Sequence, residues 1–478
     1  MKFVDRGEEL GFLERKRDSN DAELIIIYGR RRVGKTSLLN KFLEEKKGMY
    51  FLGRLEPKED SLKRLNNLLI ESFNDTDLLR HPLRKWDDVF EYLADRSRKE
   101  RTVLVLDEFP YIVERSPEIL SVLQDKWDNR LKGTKVMIVL SGSSVSVMEQ
   151  YALDQKSPIY GRRTGQWRIN KLDPSYLPEF FPAYSIEDQI SVYACLDTIP
   201  GYLVKFSCEK SVKENIIGSI LSKGEFLYEE VSILLREEFR DPSNYSSIIS
   251  TIAGGTTAHN EIYTRTGMDK SMLSKYLYVL ENLGIIEKIL PVTQAKKARL
   301  KTRGGMYRLK DNFFDYWFTF VYPNASRLEL GGAQEVYAAS RGEYDKYLSY
   351  KFERYITEIL PHITTKYTQA GPWWHKEQEI DLVALNPQTK DILFAECKWK
   401  NEITPEKTIK ELIGKAESVE WNNLQRKEEY ALFAKSYTRK ITEYEGKKVA
   451  CYDLSDLEDI LNKKKKRPDR TAGISNRA

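Results

Sequence analysis

The chain has 478 residues, 41% hydrophobic and 31% charged, enough apolar mass for about three packed domains. Its 77 Lys and Arg against 72 Asp and Glu leave a net charge of only +5, so binding to nucleic acid must come from local basic patches and not a global field. No apolar run approaches the ~18 residues of a membrane span, and four scattered cysteines (Cys195, Cys208, Cys397, Cys451) beside four histidines argue against a zinc site and for reduced thiols in a cytoplasm.

Residues 1–171 alternate helical and strand patterns, as a parallel sheet flanked by helices requires. The apolar run 24–28 predicts a buried strand, and residues 37–43 read as a helix. Between them stands Gly29-Arg30-Arg31-Arg32-Val33-Gly34-Lys35-Thr36, the G-x-x-x-x-G-K-[ST] pattern in its required setting. The glycines let the loop close around phosphates, so that backbone N–H groups and the helix N-terminus, including Ser37, face the anion. Lys35 reaches the β- and γ-phosphates, and the Thr36 hydroxyl ligates Mg²⁺. ATP and Mg²⁺ are therefore the expected cofactors.

Downstream, 101–106 is an apolar strand ending in Asp107-Glu108. Asp107 is expected to bind Mg²⁺ directly or through water, and Glu108 to polarise the water attacking the γ-phosphate. A third strand, 136–140, runs into Ser141-Gly142-Ser143-Ser144. Its hydroxyls are expected between the carboxylates and the γ-phosphate, with Ser141 as the named candidate.

The remainder divides by pattern. Residues 172–245 read as a helical subdomain, clearest at 187–196 and 212–221. Residues 246–310 hold a short helix, a turn at Gly267, and a second helix with Leu273, Leu277, Leu280 and Leu283 on one face. Lys270, Ser271, Ser274 and Lys275 lie on its other face. Strand-like pieces at 285–292 and 305–309 flank Lys296, Lys297, Arg299, Lys301 and Arg303. That is a winged-helix layout, suited to DNA or, equally in fold terms, to a protein partner. A linker is expected at 311–343, a second α/β domain at 344–461, and a frayed basic tail at 462–478.

In the second α/β domain, 379–385 and 392–399 read as strands around a turn at 386–390. Glu396 and Lys398, two apart, share a sheet face, and Asp381 on the preceding strand can converge with them. Two carboxylates and a lysine can bind Mg²⁺ and position hydroxide for phosphodiester attack, with Glu353 on the preceding helix as a fourth group. The alternative is a nuclease-like fold kept for binding or as a scaffold.

Several segments carry a family resemblance: Phe3-Val-Asp-Arg6-Gly-Glu-Glu9-Leu10, the phosphate loop, Leu104-Val-Leu-Asp-Glu-Phe-Pro110-Tyr111, Leu140-Ser-Gly-Ser-Ser-Val145, Tyr160-Gly161-Arg162-Arg163, Ile199-Pro200-Gly201-Tyr202-Leu203, Tyr316-Trp317-Phe318 and Trp373-Trp374. In this order they resemble the archaeal P-loop ATPases of the STAND type, fused to a PD-(D/E)xK-like C-terminal domain. The resemblance implies a multidomain α/β protein: a parallel-sheet P-loop ATPase core, a helical subdomain, a winged helix and a restriction-endonuclease-like domain. It implies that Arg162 or Arg163 approaches the γ-phosphate, and that Pro200, with the segment around Arg6, lines the adenine pocket. Two departures stand out. The family's Gly-Gly-x-Pro reads Asp197-Thr198-Ile199-Pro200 here, and Gln378-Glu379-Ile380-Asp381 stands where active nucleases often show Pro-Asp.

Two functions compete. One is an ATP-dependent hydrolase acting on DNA, in a cytoplasmic protein able to form homo-oligomers. The other is a slow-turnover ATP/ADP switch that regulates or scaffolds assembly through an inactive nuclease-like domain. A metabolic kinase is disfavoured, because no acceptor-binding domain is apparent.

Overall fold

A computed structural model describes residues 3–44, 46, 48–239, 241–294 and 305–465. The chain divides into two compact units, Met1–Leu172 with Ile199–Gly201, and Asp173–Thr198 with Tyr202–Ala478. No helix among the described residues is long and apolar enough to cross a membrane.

The first unit is built on β1 (Glu23–Tyr28), β2 (Gly48–Leu52), β3 (Thr102–Asp107), β4 (Val136–Gly142) and β5 (Gly165–Arg168). They pair in the order β2-β3-β4-β1-β5, all parallel. Every residue of β1, β3 and β4 is buried, which explains their unbroken apolar runs, since a parallel sheet is covered on both faces. Ile25, Ile27, Val105 and Val139 pack on Leu38, Leu39 and Phe42 of the helix Lys35–Leu43. Strand alternation puts Ser141 on the same face as Val139.

In the second unit, helices Ser243–Ala253, His259–Thr266 and Lys270–Asn282 precede an antiparallel pair, β6 (Ile286–Ile289) and β7 (Met306–Leu309). Ala258 bridges to Met306 on the outer side of β7. Leu273, Leu277, Leu280 and Leu283 are buried, while Lys270, Ser271, Ser274 and Lys275 are exposed. Both strands are shorter than the periodicity suggests. The cations Lys296, Lys297, Arg299, Lys301 and Arg303 lie outside the described residues.

A mixed sheet follows: β8 (Gln369–His375), β9 (Gln378–Asn386), β10 (Asp391–Lys398), β11 (Lys427–Ala434), β12 (Glu443–Tyr444) and β13 (Lys447–Tyr452), in the order β12-β13-β11-β10-β9-β8. β8, β9 and β10 are antiparallel neighbours, whereas β10, β11 and β13 run parallel. The helix Pro405–Glu417 connects β10 to β11, and its Ile409, Leu412 and Ala416 join Ile392, Phe394 and Leu432 in one core. The four cysteines are free thiols.

Residues 311–343, expected as a linker, are instead folded into this unit, and 311–321 reach its interior. They form helical segments at Asn312–Tyr316, Trp317–Val321, Ala325–Glu329 and Ala333–Ala339. Phe313, Phe314, Trp317, Phe318, Phe320 and Val321 are buried, and the Trp317 indole N–H donates to the Tyr228 carbonyl at 2.8 Å. Lys351 is fully buried, yet its ammonium donates to Asn312 at 3.0 Å and pairs with Asp315 at 2.5 Å. Within 324–333, Ala325–Glu329 is itself a short helix and only 330–332 join it to Ala333–Ala339; the aromatic run before them supplies the burial. Asn312 also donates to the Tyr193 carbonyl at 3.0 Å, so the helices Ile186–Leu196 and Phe226–Glu238, expected as a separate subdomain, lie in the same unit. The helix Leu454–Lys465 also enters the stretch expected as a frayed tail.

This burial makes a prediction. Trp317→Ala should cost the second unit about 3–5 kcal/mol, as for a buried aromatic, in denaturant unfolding. A linker position would change stability by less than ~0.5 kcal/mol.

Candidate functional site

Residues 29–34 turn the chain from β1 into the helix Lys35–Leu43, and two glycines are required by their surroundings. Gly29 sits at φ +155°, where a Cβ would lie 2.3 Å from the Ile169 carbonyl oxygen. Gly34 caps the helix at φ +94°, and Arg32 also takes a left-handed φ of +70°. Such a loop at a helix start turns successive N–H groups inward as an anion-binding nest. The Lys35 ammonium folds back over it, donating to the Gly29 and Arg30 carbonyls at 2.8 and 2.9 Å.

The loop is braced from outside. Arg6 donates to the carbonyls of Val33 and Asn170, each at 2.8 Å, and pairs with Glu9 at 2.9 Å. The Gly201 N–H donates to the Arg32 carbonyl at 3.0 Å, and Pro200 stands beside Gly34. Arg31 donates to the Tyr111 hydroxyl at 3.1 Å. Arg6 and Pro200, expected near adenine, thus touch the phosphate loop itself.

Opposite the loop, Asp107 ends β3 fully buried. Its Oδ2 accepts from the Thr36 hydroxyl at 2.9 Å and the Tyr50 hydroxyl at 2.6 Å, and its Oδ1 from the Glu108 N–H at 3.0 Å. Glu108 itself takes φ +49°, a strained conformation for a non-glycine residue and one that concentrates at functional sites. The Ser143 hydroxyl lies 2.7 Å from both Glu108 carboxylate oxygens. Ser141, the serine expected to act here, is fully buried and its Oγ has no partner among the described residues. An unpaired buried hydroxyl normally costs about 1–3 kcal/mol. With Thr36 and Asp107 it forms a group of side chains that could meet a phosphate and a divalent cation. Of the two arginines, Arg162 pairs with Asp128 at 2.8 Å. Arg163 lies over the Tyr160 ring at 4.5 Å and within electrostatic reach of Tyr28, which ends β1.

A second cluster sits on β9 and β10. The antiparallel register sets Asp381 across from Glu396, one step beyond the Leu382–Ala395 pair. The Lys398 ammonium meets Glu396 at 2.5 Å and Asp381 at 3.5 Å, while Lys415, from the helix Pro405–Glu417, takes the other Glu396 oxygen at 2.6 Å. The Cys397 N–H donates to Asp381 at 2.8 Å. Burial, then the charges of Asp381 and Glu379, push the Glu353 carboxyl up to about 8. Burial and Glu396 push Asp381 up to about 6. Burial works against the Glu396 carboxylate as well, yet Lys398 and Lys415 hold it below its usual range. Among the described residues, no group of three or more His, Cys, Asp or Glu side chains is arranged to hold a metal ion; the Lys398 and Lys415 ammonium groups neutralise Glu396.

Residues 3–206 match the family described as "ATPase domain predominantly from Archaea", and residues 317–412 match "Archaea bacterial proteins of unknown function". An uncharacterized protein of Methanocaldococcus jannaschii is 34% identical over 465 residues, 95% of this chain and 100% of that protein. The chain belongs to this archaeal ATPase family. An uncharacterized ATP-binding protein of the same organism is 71% identical over 47 residues, 10% of this chain and 80% of that protein. The Walker-type ATPase PABY2304 of Pyrococcus abyssi shares the fold, with a TM-score of 0.51 at 21% identity over 66% of this chain and 96% of that one.

Two side chains of this ATPase escaped the sequence reading. Tyr50 lies on a strand with no motif, and only the pairing of β2 with β3 brings its hydroxyl to Asp107. Lys415 lies seventeen positions beyond Lys398 on an ordinary amphipathic helix, and its period gave no sign that its ammonium faces Glu396. Ser143 was legible as one of the serines ending β4, but the choice between it and Ser141 was not.

The raised carboxyls predict a pH dependence. The folded state keeps protons on Glu353 that the unfolded chain, with an ordinary value of 4.5, has already released. Stability of the second unit should therefore fall as pH rises from about 4.5 to about 8. Glu353→Gln should flatten that decline in unfolding midpoints taken between pH 5 and 9. An unchanged slope in the variant would show that Glu353 ionises normally.

Proposed function

We propose that this protein is a Mg²⁺-dependent ATPase of the STAND type, cytoplasmic and able to assemble as a homo-oligomer, whose nucleotide state governs engagement of DNA. The observation that carries the reading is the meeting of Thr36 and Asp107 at 2.9 Å across 71 residues of chain, with Glu108 adjoining. The loop N–H groups of residues 29–34, with Lys35 and Ser37, would hold the phosphates, and Thr36 with Asp107 the cation. Bound Mg²⁺ supplies Lewis-acid polarisation of the phosphoryl oxygens. Glu108 orients the attacking water, and Ser143 aims its carboxylate. Ser141 offers its free hydroxyl toward the γ-phosphate side. Arg163, without the carboxylate partner that engages Arg162, is the better supported candidate for neutralising charge in the transition state. Pro200 would border the base.

The three helices, the β6–β7 pair and the Ala258 bridge support a winged helix over 246–310. The exposed Lys270, Ser271, Ser274 and Lys275, with the five cations between the strands, favour DNA over a protein partner. Asp381, Glu396 and Lys398, with Glu353 nearby, support a PD-(D/E)xK-like domain over 344–461. A second reading, the slow-turnover switch with an inactive nuclease-like domain, is favoured by one feature. Both Glu396 oxygens are taken by lysines, so a metal must first displace one of them.

Hydrolysis with and without duplex DNA separates the two, since only a DNA-coupled ATPase should be stimulated. Lys35→Ala should weaken ATP binding and abolish turnover. Glu108→Gln should lower turnover about 10²–10⁴-fold, the usual share of a general base, while ATP stays bound in filter or fluorescence assays. Equal loss of binding in both variants would refute the division of roles.

For the C-terminal site, plasmid nicking with Mg²⁺ or Mn²⁺ should disappear in Lys398→Ala with the fold intact by circular dichroism. Asp381→Ala should also remove the heat of metal binding in calorimetry. Absence of cleavage under every metal and nucleotide condition would select the switch.

A further inference from the structure

β2 is an edge strand of the parallel sheet, and its far end is tied to the two carboxylate residues. Leu52 is in register with Asp107, and the Gly53 N–H donates to the Asp107 carbonyl at 2.8 Å. Gly53 is packed so tightly that a Cβ would lie 2.6 Å from the Glu108 carbonyl oxygen and 2.8 Å from the Ile112 side chain. This anchoring fixes where Tyr50, paired with Val105, can send its ring: along β3 to Asp107.

The result is a buried carboxylate held by donors from three elements. Thr36 comes from the phosphate-loop helix, Tyr50 from β2, and the Glu108 N–H from the turn after β3. A carboxylate has about four acceptor positions, so these three leave one, on Oδ1. The 2.6 Å contact has the length of a charge-assisted O–H···O⁻ bond, stronger than the Thr36 contact to the same oxygen. Asp107 has no solvent exposure, so water cannot replace the phenol without opening the strand.

We propose that Tyr50 is a positioning residue for the divalent cation of the ATP site, its hydroxyl fixing the rotation of Asp107 so that the carboxylate faces the cation held at Thr36. This rests on the reading of Thr36 and Asp107 as the Mg²⁺ site. Loss of the hydroxyl leaves the ring's packing in place but leaves the carboxylate held only by Thr36 on Oδ2 and the Glu108 N–H on Oδ1, so its rotation about the Cβ–Cγ bond is less tightly fixed. A looser carboxylate weakens the cation, not the nucleotide.

The test uses the full chain with Tyr50→Phe, and Thr36→Ala as the reference. Binding of a fluorescent ADP analogue is measured in EDTA and then through a Mg²⁺ titration, beside hydrolysis over the same titration. Tyr50→Phe should match wild type in EDTA within about twofold, need about tenfold more Mg²⁺ for half-saturation, as for loss of a hydrogen bond to a charged group, and regain near-wild-type kcat at saturating Mg²⁺. Unchanged half-saturation overturns the proposal, as does an equal loss of nucleotide affinity in EDTA and in Mg²⁺, which marks a purely structural tyrosine. Thr36→Ala should lose the Mg²⁺ response altogether. If it responds like wild type, the cation site itself is wrong, a failure distinct from that of Tyr50.

Discussion

A carboxylate with no contact to solvent must be satisfied by the protein or not be charged at all, and Asp107 is such a group. Leaving a charged group buried and unpaired costs several kcal/mol. Its three donors come from the helix after the phosphate loop, from β2 and from its own successor. That one requirement ties together β2, β3 and the loop that follows β1. It also bears on the backbone: the turn after β3 delivers the Glu108 N–H to Asp107 with Glu108 in a left-handed conformation, and Gly53 must lack a side chain to pass beneath it. The same arrangement leaves Ser143 on Glu108 and Ser141 unpartnered among the described residues, so polar strain gathers at the C-terminal ends of β3 and β4 in an otherwise apolar sheet.

The second unit solves a similar problem differently. Lys351 is buried without solvent contact, and burial lowers its affinity for a proton, but Asn312 and Asp315 meet it directly. Removing one partner of such a pair costs about 3–5 kcal/mol, whereas replacing the whole set by apolar groups need not. Here the set links the helix Arg341–Ile363 to Asn312–Tyr316, and Asn312 reaches on to the Tyr193 carbonyl and the Asp197 carboxylate. This network, with the surrounding aromatic side chains, makes one body of segments far apart in sequence.

The carboxylates on β9 and β10 stand in contrast to Asp107. Asp107 is satisfied by neutral donors, which a cation can join without first removing a charge. Glu396 is satisfied by two ammonium groups, and a cation must compete with them. Burial pushes both neighbours up, Asp381 to about 6 and Glu353 to about 8. The same residue type is thus met by neutral hydroxyl and amide donors at one cluster and by ammonium groups at the other.

Local pattern was sufficient wherever the constraint was local. The glycines and lysine of residues 29–35, the apolar strands ending in Asp107 and Ser141, the leucine face of Lys270–Asn282 and the hairpin carrying Asp381 and Glu396 were all legible, because backbone conformation and side-chain period act over a few residues. The aromatic run after Asp311 was mistaken for part of a linker, since the Tyr228 carbonyl that the Trp317 indole meets is distant in the chain. Tyr50 and Lys415 carry no motif; strand pairing sets one beside Asp107, and helix packing sets the other beside Glu396. Sequence determined which side chains could do chemistry. Only the tertiary structure decided which oxygens and nitrogens meet, because long-range pairing brings charges within hydrogen-bond distance and burial sets the strength of the contact.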